Sequence, residues 1–295
     1  MNAAARVLNR IVRAYLRHVP VTEGKSQLLR LMRSVILPDL TIATFPMRHG
    51  FSLRGNLRNP EHLRMYFYGD HDERYEVNNV SRLLRAGDVC WDIGANIGFY
   101  TCLFASLVGP SGHVVAFEPL PQTADFLDFN VRLNGLTNVT VIVKAVGAVA
   151  GKQSIYFGDS SAGEGTASLA HIGPDWNEAL VEVDAIDNMS MSLPPPDFVK
   201  IDVEGCQLDV LRGGAEFFSR RSPMLMAELR DSDSGIMEAT ETYLRQLGYQ
   251  IYEFSKHSLK ECNDTLRSSK RNFFMIKLDS PYVVRLRSIL GRATK

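Results

Sequence analysis

The sequence predicts an α/β fold in which helices cover both faces of a mostly parallel sheet, and three observations lead to this prediction. Apolar segments of strand length alternate with helical segments from residue 70 to residue 276, and such alternation requires a parallel sheet with helices on both sides. A glycine-rich turn at Gly94–Gly98 joins the strand Val89–Ile93 to the helix that follows. Glu118 ends the next strand, where nucleoside-binding folds of this class place an acid.

The predicted elements follow this alternation along the chain. Strands are expected where apolar or β-branched residues form short segments, namely at Val89–Ile93, His113–Phe117, Val139–Lys144, Gln153–Phe157, Leu180–Val183, Phe198–Val203, Pro223–Leu229, Gln250–Phe254 and Asn272–Ile276. Helices are expected where apolar residues recur at helical spacing, namely at Val77–Leu84, Gly98–Leu107, Pro121–Asn134, Leu208–Phe218 and Glu238–Leu247. The glycine- and serine-rich segment Gly158–Ser168 is expected to be a loop between two strands of an insertion.

The two ends of the chain differ in pattern from its centre, so we divide it into residues 1–70, 71–280 and 281–295. Prolines interrupt the first part, which predicts a helical cap followed by irregular or strand segments. Arginines without any acid precede Glu23 and are interleaved with apolar residues at helical spacing. We expect this basic amphipathic helix to dock on its own domain, and peripheral contact with an anionic membrane is the alternative. The last part is a basic tail.

Composition excludes several classes of protein. The 33 lysines and arginines balance the 33 aspartates and glutamates, so no overall positive field is available to attract nucleic acid. No apolar run approaches the roughly 20 residues that a membrane-spanning helix needs. The cysteines are scattered rather than paired, which favours a reducing, cytoplasmic location.

The turn Gly94–Gly98 differs from the dinucleotide fingerprint. That fingerprint, G-x-G-x-x-G, lets the backbone approach a pyrophosphate, whereas Asn96 stands here in place of the second glycine. A nucleoside without phosphate tolerates this variant and is served better by an adjacent acid such as Asp92. Glu118 lies at the distance past the turn where an acid accepts hydrogen bonds from both ribose hydroxyls. A nicotinamide-dependent oxidoreductase on the same fold is the alternative, and the missing glycine disfavours it.

Six segments occur in the order that is typical of one family, and they are Asp92–Tyr100, Ala116–Pro119, Asn130–Val139, Ala145–Gly151, Val199–Gly205 and Ala227–Leu229. Through them the chain resembles the FkbM-type methyltransferases from about residue 75 to residue 276. The resemblance implies a Rossmann-like class I fold, with a seven-stranded, mostly parallel sheet whose last strand is antiparallel. It also implies S-adenosylmethionine as the cofactor, and methyl transfer to a hydroxyl oxygen of a sugar, a glycan or another small natural product.

The resemblance assigns the cofactor contacts to the ends of the first three strands, at Gly94, Asn96, Gly98, Glu118, Lys144 and Ala145. The turn would line the methionine and ribose, the acid would hold the ribose, and the last two residues would flank the adenine. Glu76 resembles a family acid that lies over the amino end of the cofactor. A helix N-terminal charge, favoured by the helix dipole, explains Glu76 equally well.

Methyl transfer to a hydroxyl needs a base or a metal to deal with the hydroxyl proton, and acidic residues near two strand ends are candidates. In a strand Phe198–Val203, Lys200 and Asp202 would point to one face together with Glu204. We expect Lys200 to form an ion pair that orders the site, and one of the acids to act in the reaction. Glu228, on the next strand, is a further base candidate. Asp202, Glu204 and Glu228 could instead share Mg²⁺, which prefers oxygen ligands.

Three further features give weaker indications of function. His171 and His257 fall in loops that could cover the site, but each is expected to be a solvated loop residue. Ser160–Ser168 has the composition of a mobile lid and equally that of any exposed loop. A non-catalytic cofactor-binding scaffold is a third reading of the whole chain, and the intact acidic set argues against it.

Overall fold

The computed structural model describes residues 3–18, 41–158, 167–168, 176–229, 234–286 and 289–290 of the chain. Within them the helices are α1 (Ala3–His18), α2 (Pro60–Tyr68), α3 (Arg74–Leu83), α4 (Phe99–Val108), α5 (Pro121–Leu133), α6 (Ile186–Met189), α7 (Gln207–Gly213), α8 (Ala215–Arg220), α9 (Ser234–Gln246) and α10 (Val283–Leu286). The strands are β1 (Ile42–Pro46), β2 (Ser52–Asn56), β3 (Val89–Ile93), β4 (His113–Phe117), β5 (Val139–Ile142), β6 (Ala145–Val146), β7 (Gly151–Phe157), β8 (Ala167–Ser168), β9 (Asn177–Asp184), β10 (Phe198–Ile201), β11 (Met224–Glu228), β12 (Tyr249–Phe254), β13 (Leu259–Glu261) and β14 (Asn272–Lys277). The predictions for His171, for most of the lid and for residues 287–288 and 291–295 of the C-terminal tail lie outside the described residues.

The main sheet has eight strands in the order β13-β12-β14-β11-β10-β3-β4-β5. Neighbouring strands from β11 to β5 are parallel, and β14 is antiparallel to both of its neighbours, β11 and β12. This arrangement confirms the predicted mostly parallel sheet with an antiparallel last strand. The short edge strand β13 adds an eighth strand to the seven that were expected.

Both faces of this sheet are buried, as the uninterrupted apolar strands require. Along β10, Phe198 packs into one hydrophobic core and Val199 into the other, because successive side chains of a strand point to opposite faces. Lys200 therefore lies on the same face as Phe198. On that face the cap and α4 cover the sheet, and their apolar side chains belong to the same core as Phe198.

A second, four-stranded sheet has the order β6-β9-β7-β8 and carries the predicted insertion. The two expected strands are confirmed, since β7 and β9 pair antiparallel from Gly151 opposite Val183. The predicted loop Gly158–Ser168 needs correction at its end, where Ala167–Ser168 forms β8 and pairs with β7, and residues 159–166 lie outside the described part of the chain. The single strand predicted at Val139–Lys144 is wrong. It ends at Ile142, where the N–H of Lys144 turns back to the Ile142 carbonyl, and the chain then enters the second sheet as β6.

Two other predicted boundaries need correction. The strand expected at Phe198–Val203 ends at Ile201, because the chain turns through Glu204 (φ 46°) and Gly205 (φ 93°). The helix expected at Leu208–Phe218 is two short helices, α7 and α8, that meet at Gly214. Glycine is among the weakest helix formers, which accounts for a break at this position.

The N-terminal cap packs on the main sheet. In α1, Val12 and Leu16 are buried in the core that also contains Phe198, which agrees with docking of this helix. The hairpin of β1 and β2 is held to α5 by side-chain amides, since Asn130 and Asn134 both accept from and donate to its backbone. None of the described helices combines the length and the apolar content that would span a membrane.

Candidate cofactor and acceptor site

A cavity of about 1050 Å³ opens at the carboxyl ends of β3, β4, β10 and β11. Open α/β sheets bind their ligands at this edge. Ligand pockets in proteins usually measure roughly 300–1,000 Å³, so this one has room for a nucleoside cofactor and a small second molecule. Residues of α2 and α3 and the segment before β14 form the opposite wall.

The glycine-rich turn forms one side of this cavity. Gly94 and Asn96 both line it and have positive φ angles, 80° and 50°, a conformation that asparagine tolerates better than most residues. A Cβ at Gly94 would lie 1.9 Å from the carbonyl oxygen of Asp202. The turn after β3 and the turn after β10 are therefore in direct backbone contact, and glycine is required at Gly94.

Gly94→Ala is expected to destabilise the fold more than Gly135→Ala. Both glycines have positive φ angles, 80° and 63°, so alanine adds about 1–2 kcal/mol of backbone strain at either position. At Gly94 the new Cβ would also collide with Asp202, whereas at Gly135 nothing lies within 4 Å. Urea unfolding of both variants measures the difference in free energy. Equal stability of the two variants would contradict the close contact between the turns.

Glu118 lines the cavity at the end of β4, and its position is fixed by two backbone groups. One carboxylate oxygen accepts the N–H of Asn96 and the other accepts the N–H of Leu120, both at 3.0 Å. Burial raises the pKa of Glu118 to about 7 despite these hydrogen bonds. The carboxylate keeps lone pairs free toward the cavity, because each oxygen can accept more than one hydrogen bond.

Two residues predicted to contact the cofactor lie behind the cavity wall instead. Asp92 is 0% exposed. One of its oxygens accepts from the Thr101 hydroxyl at 2.6 Å, and the other lies 3.8 Å from Lys200 Nζ. Gly98 does not line the cavity either, since it caps the N-terminus of α4 and faces Leu127. The prediction of direct contact is corrected for both: they support the turn from beneath.

Lys200 links the two turns. Its Nζ donates to Asp202 at 2.9 Å, lies 3.8 Å from Asp92 and is 5.0 Å from the centre of the Tyr100 ring. Burial opposes its charge, but the carboxylates of Asp202 and Asp92 raise the pKa of Lys200 above its ordinary value. This geometry agrees with the expected ion pair that orders the site.

Asp202, Glu204 and Glu228 come together at the cavity, with carboxylate oxygens within 4.8 Å of one another. Burial, together with the charge of Asp202, raises the pKa of Glu204 to about 7 and that of Glu228 to about 8. Arg271 reaches Glu228 from the rim at 3.3 Å. Glu204 joins the group through its left-handed turn, and the predicted strand alternation does not apply to it.

Sequence reasoning missed a polar network on the opposite wall. Glu73 accepts from the Tyr100 hydroxyl and from the Asn272 amide, both at 2.6 Å. His71 pairs with Glu61 at 2.9 Å, and although burial opposes its charge, Glu61 and Glu73 raise the pKa of His71 to about 9. These residues come from four separate parts of the chain, so spacing carried no signal for them. Only Tyr100 belonged to a recognised segment.

The remaining predicted residues lie on the cavity wall with one exception. Glu76, Lys144 and Ala145 all line the cavity. Burial raises the pKa of Glu76, and Lys144 donates to Asp184 at 3.1 Å. His257 is an exposed loop residue outside the cavity lining, in agreement with its interpretation as a solvated side chain.

Known proteins resemble this chain over its central part. The hexuronic acid methyltransferase AglP of Haloferax volcanii is 35% identical over 169 residues, which are 56% of this chain and 65% of AglP. The match therefore covers slightly less than two thirds of that relative. Methyltransferase 1 of Beauveria bassiana is 25% identical over 54% of this chain and 71% of that protein. The FkbM methyltransferase structure from Methylobacillus flagellatus is 20% identical, with a TM-score of 0.46, over 68% of this chain and 47% of that one.

The sequence profile of the methyltransferase FkbM domain matches residues 92–251, which is more than half of the 295 residues. The matched part begins at the glycine-rich turn and includes Glu118 and the three clustered acids. It leaves out the cap and α3, which form much of the opposite wall. The chain belongs to the FkbM methyltransferase family.

Proposed function

We propose that this chain transfers a methyl group from S-adenosylmethionine to a hydroxyl oxygen of a sugar or glycan. One observation carries the proposal: a single cavity joins the turn and acid of a nucleoside site to a cluster of three carboxylates. Asn96 disfavours a nicotinamide-dependent oxidoreductase, because it stands where the dinucleotide fingerprint has its second glycine. A binding scaffold would not need carboxyl groups whose pKa values lie near neutrality.

The residues of the first three strand ends suit the cofactor. In this proposal Gly94 and Asn96 approach it with their backbone, Glu118 accepts from its ribose hydroxyls, and Lys144 with Ala145 flanks the adenine. Glu76 lines the same cavity from α3 on the opposite wall and would face the amino group of the methionine part. S-adenosylmethionine supplies an electrophilic methyl group on a sulfonium, so the protein has only to align the acceptor and remove its proton.

Glu204 and Glu228 are the proposed bases. A general base works best with a pKa near the working pH, and these two have values of about 7 and about 8. Asp202 accepts from Lys200 at 2.9 Å, which suits it to positioning rather than to proton removal. The base would take the hydroxyl proton as the acceptor oxygen bonds to the methyl carbon, and the sulfur would leave with the electron pair.

A divalent cation is the second chemical candidate for the same three acids, since oxygen ligands suit Mg²⁺. A bound cation would lower the pKa of a coordinated hydroxyl and replace the base. Dialysis against EDTA followed by a transfer assay distinguishes the carboxylate base from the bound cation. Full activity without metal supports the carboxylate base, and activity that returns only with Mg²⁺ supports the cation.

The acceptor side of the cavity suits an acidic sugar. Lys256, Lys270 and Arg271 lie on one wall, and Lys270 stands 5.2 Å from the centre of the partly exposed Tyr75 ring. An aromatic ring and cations together suit a sugar ring that carries a carboxylate. AglP, named a hexuronic acid methyltransferase, points to the same class of acceptor.

A cytoplasmic location is part of the proposal. Cys90, Cys102, Cys206 and Cys262 are buried and form no disulfide, and proteins of reducing compartments keep their cysteines in this state. Expression with a fluorescent tag and fractionation of the cells tests the location.

The test uses labelled S-adenosylmethionine with methyl glucuronide and with methyl glucoside. We expect transfer to the glucuronide, with a product that resists mild alkali because the methyl group is on a hydroxyl oxygen. Binding of S-adenosylhomocysteine and of NAD is measured in parallel. Tight binding of NAD alone would favour the oxidoreductase, and binding of S-adenosylhomocysteine without transfer to any sugar would favour the scaffold.

A further inference from the structure

The N-terminal helix α1 turns a distinct apolar face away from the protein. Its inner face carries Val12 and Leu16, which are buried, and Asn9, which donates to the Tyr66 hydroxyl. The side chains on the other side share apolar character and high exposure, and they are Val7 (57%), Leu8 (40%), Ile11 (60%) and Tyr15 (40%). We call these four residues the outer face of α1. They recur at helical spacing and so form one continuous surface.

The arginines of α1 are arranged in the opposite way to those of an ordinary surface helix. Arg17 donates to the carbonyl oxygens of Pro46, Tyr66 and Phe67, and Arg13 lies 4.3 Å from the centre of the Tyr66 ring. Cations thus help to dock the helix, while apolar groups face outward. A helix stabilised only by docking would bury the apolar residues and expose the arginines.

The charge beside the outer face is positive. Arg10 is exposed on the flank of that face, and no acid occurs in residues 1–22. An apolar stripe with a cation on its flank and no acid beside it matches an anionic lipid surface, where the apolar side chains enter the boundary of the acyl chains and Arg10 meets the headgroups. A protein partner would need an apolar patch lined with acids to match it equally well.

We propose that the outer face of α1 is a membrane-contact surface that lies on anionic lipid. The α1 helix packs on α2, and α2 contributes Pro60, Glu61, Arg64 and Met65 to the wall of the cavity. One helix therefore separates the lipid contact from the proposed acceptor site. If the proposed sugar methylation holds, this arrangement favours an acceptor glycan that is attached to a lipid.

Vesicle flotation of the full chain tests the proposal. Vesicles of phosphatidylcholine alone are compared with vesicles that also contain phosphatidylglycerol. We expect the protein to float with the anionic vesicles and not with the neutral ones, and to be released by high salt, which screens the arginines. Ile11→Glu should lower the partition into anionic vesicles about tenfold or more, because it removes an aliphatic side chain that would enter the lipid and adds a negative charge that the anionic headgroups repel.

Leu180→Glu and Val149→Glu are the matched controls. Both residues are apolar and at least as exposed as Ile11, at 68% and 76%. Leu180 lies in β9 of the second sheet, and Val149 lies between β6 and β7. The Leu180→Glu and Val149→Glu proteins should float with anionic vesicles as the wild-type protein does. Thermal unfolding of each variant verifies that the fold is intact.

Three results would overturn the proposal. The wild-type protein could fail to float, Ile11→Glu could float unchanged, or sedimentation velocity could reveal a dimer that Ile11→Glu dissociates, which would assign the surface to a second copy. Cofactor affinity and transfer to a soluble glucuronide are measured on the same Ile11→Glu protein. If the wild-type protein neither binds the cofactor nor transfers methyl to the glucuronide, the proposed function is wrong, whereas flotation alone decides the membrane contact.

Discussion

Glu118→Ala is expected to weaken binding of S-adenosylhomocysteine about 100-fold or more. The carboxylate faces the cavity and is proposed to accept from both ribose hydroxyls, and a hydrogen bond to a charged group contributes about 1.5–3 kcal/mol. Two such bonds correspond to at least two factors of ten in the dissociation constant. The variant also releases the backbone N–H of Asn96, which Glu118 holds at 3.0 Å. Isothermal titration calorimetry measures the change.

The pH dependence of binding provides an independent check on Glu118. Because burial raises its pKa to about 7, the carboxylate is ionised above pH 7 and becomes protonated as the pH falls below that value. Affinity for S-adenosylhomocysteine should therefore decline below pH 7 in the wild-type protein. Glu118→Gln, which keeps the shape and cannot ionise, should lose this dependence. Unchanged affinity in Glu118→Ala would show that the ribose is held elsewhere.

Glu228→Gln is expected to reduce methyl transfer by about 10²–10⁴-fold, the contribution typical of a general base. Cofactor affinity should stay near that of the wild-type protein, because β10 stands between β11, which carries Glu228, and β3, which leads into the glycine-rich turn. In the wild-type protein the rate should rise with pH through about 7 to 8, where Glu204 and Glu228 lose their protons. Steady-state assays from pH 6 to pH 9 measure both effects.

Glu204→Gln is the companion variant that identifies the base. If Glu228 takes the proton, Glu204→Gln retains most of the rate and lowers the apparent pKa, since it removes a neighbouring charge that raises the pKa of Glu228. Stability provides a further readout. A folded-state pKa above the ordinary value means that stability falls as the pH rises toward 8, so Glu228→Gln should melt at a higher temperature than the wild-type protein at pH 9. Full transfer by both variants would move the chemistry to other residues.

Local pattern was sufficient for the central strands and for the acid that ends the second of them. Val89–Ile93 and His113–Phe117 occur with the predicted bounds, because strands buried on both faces are mostly apolar. Glu118 follows from its place at such an end. The same reasoning located Asp202 and Glu228 at neighbouring strand ends, since parallel strands present their carboxyl ends at one edge.

Features that depend on distant partners could not be predicted in this way. Asp92 looked like a ligand contact, but its side chain is buried against Thr101 and Lys200, and only the packed structure decides which way it points. The hairpin of β1 and β2 is short and half-buried, and it depends on side-chain amides from Asn130 and Asn134, some 80 residues further on. No periodicity within residues 41–56 encodes those partners.

The close approach of Gly94 to the Asp202 carbonyl has a thermodynamic consequence for the two halves of the reaction. The turn after β3 cannot shift without displacing the turn after β10, and Lys200 contacts both Asp92 and Asp202. The two turns therefore behave as one stiff unit. Occupancy of one half then changes the free energy of occupying the other, and such linkage is reciprocal. We expect the nucleoside product to change the affinity for the proposed sugar acceptor by the same factor as that sugar changes the affinity for the nucleoside.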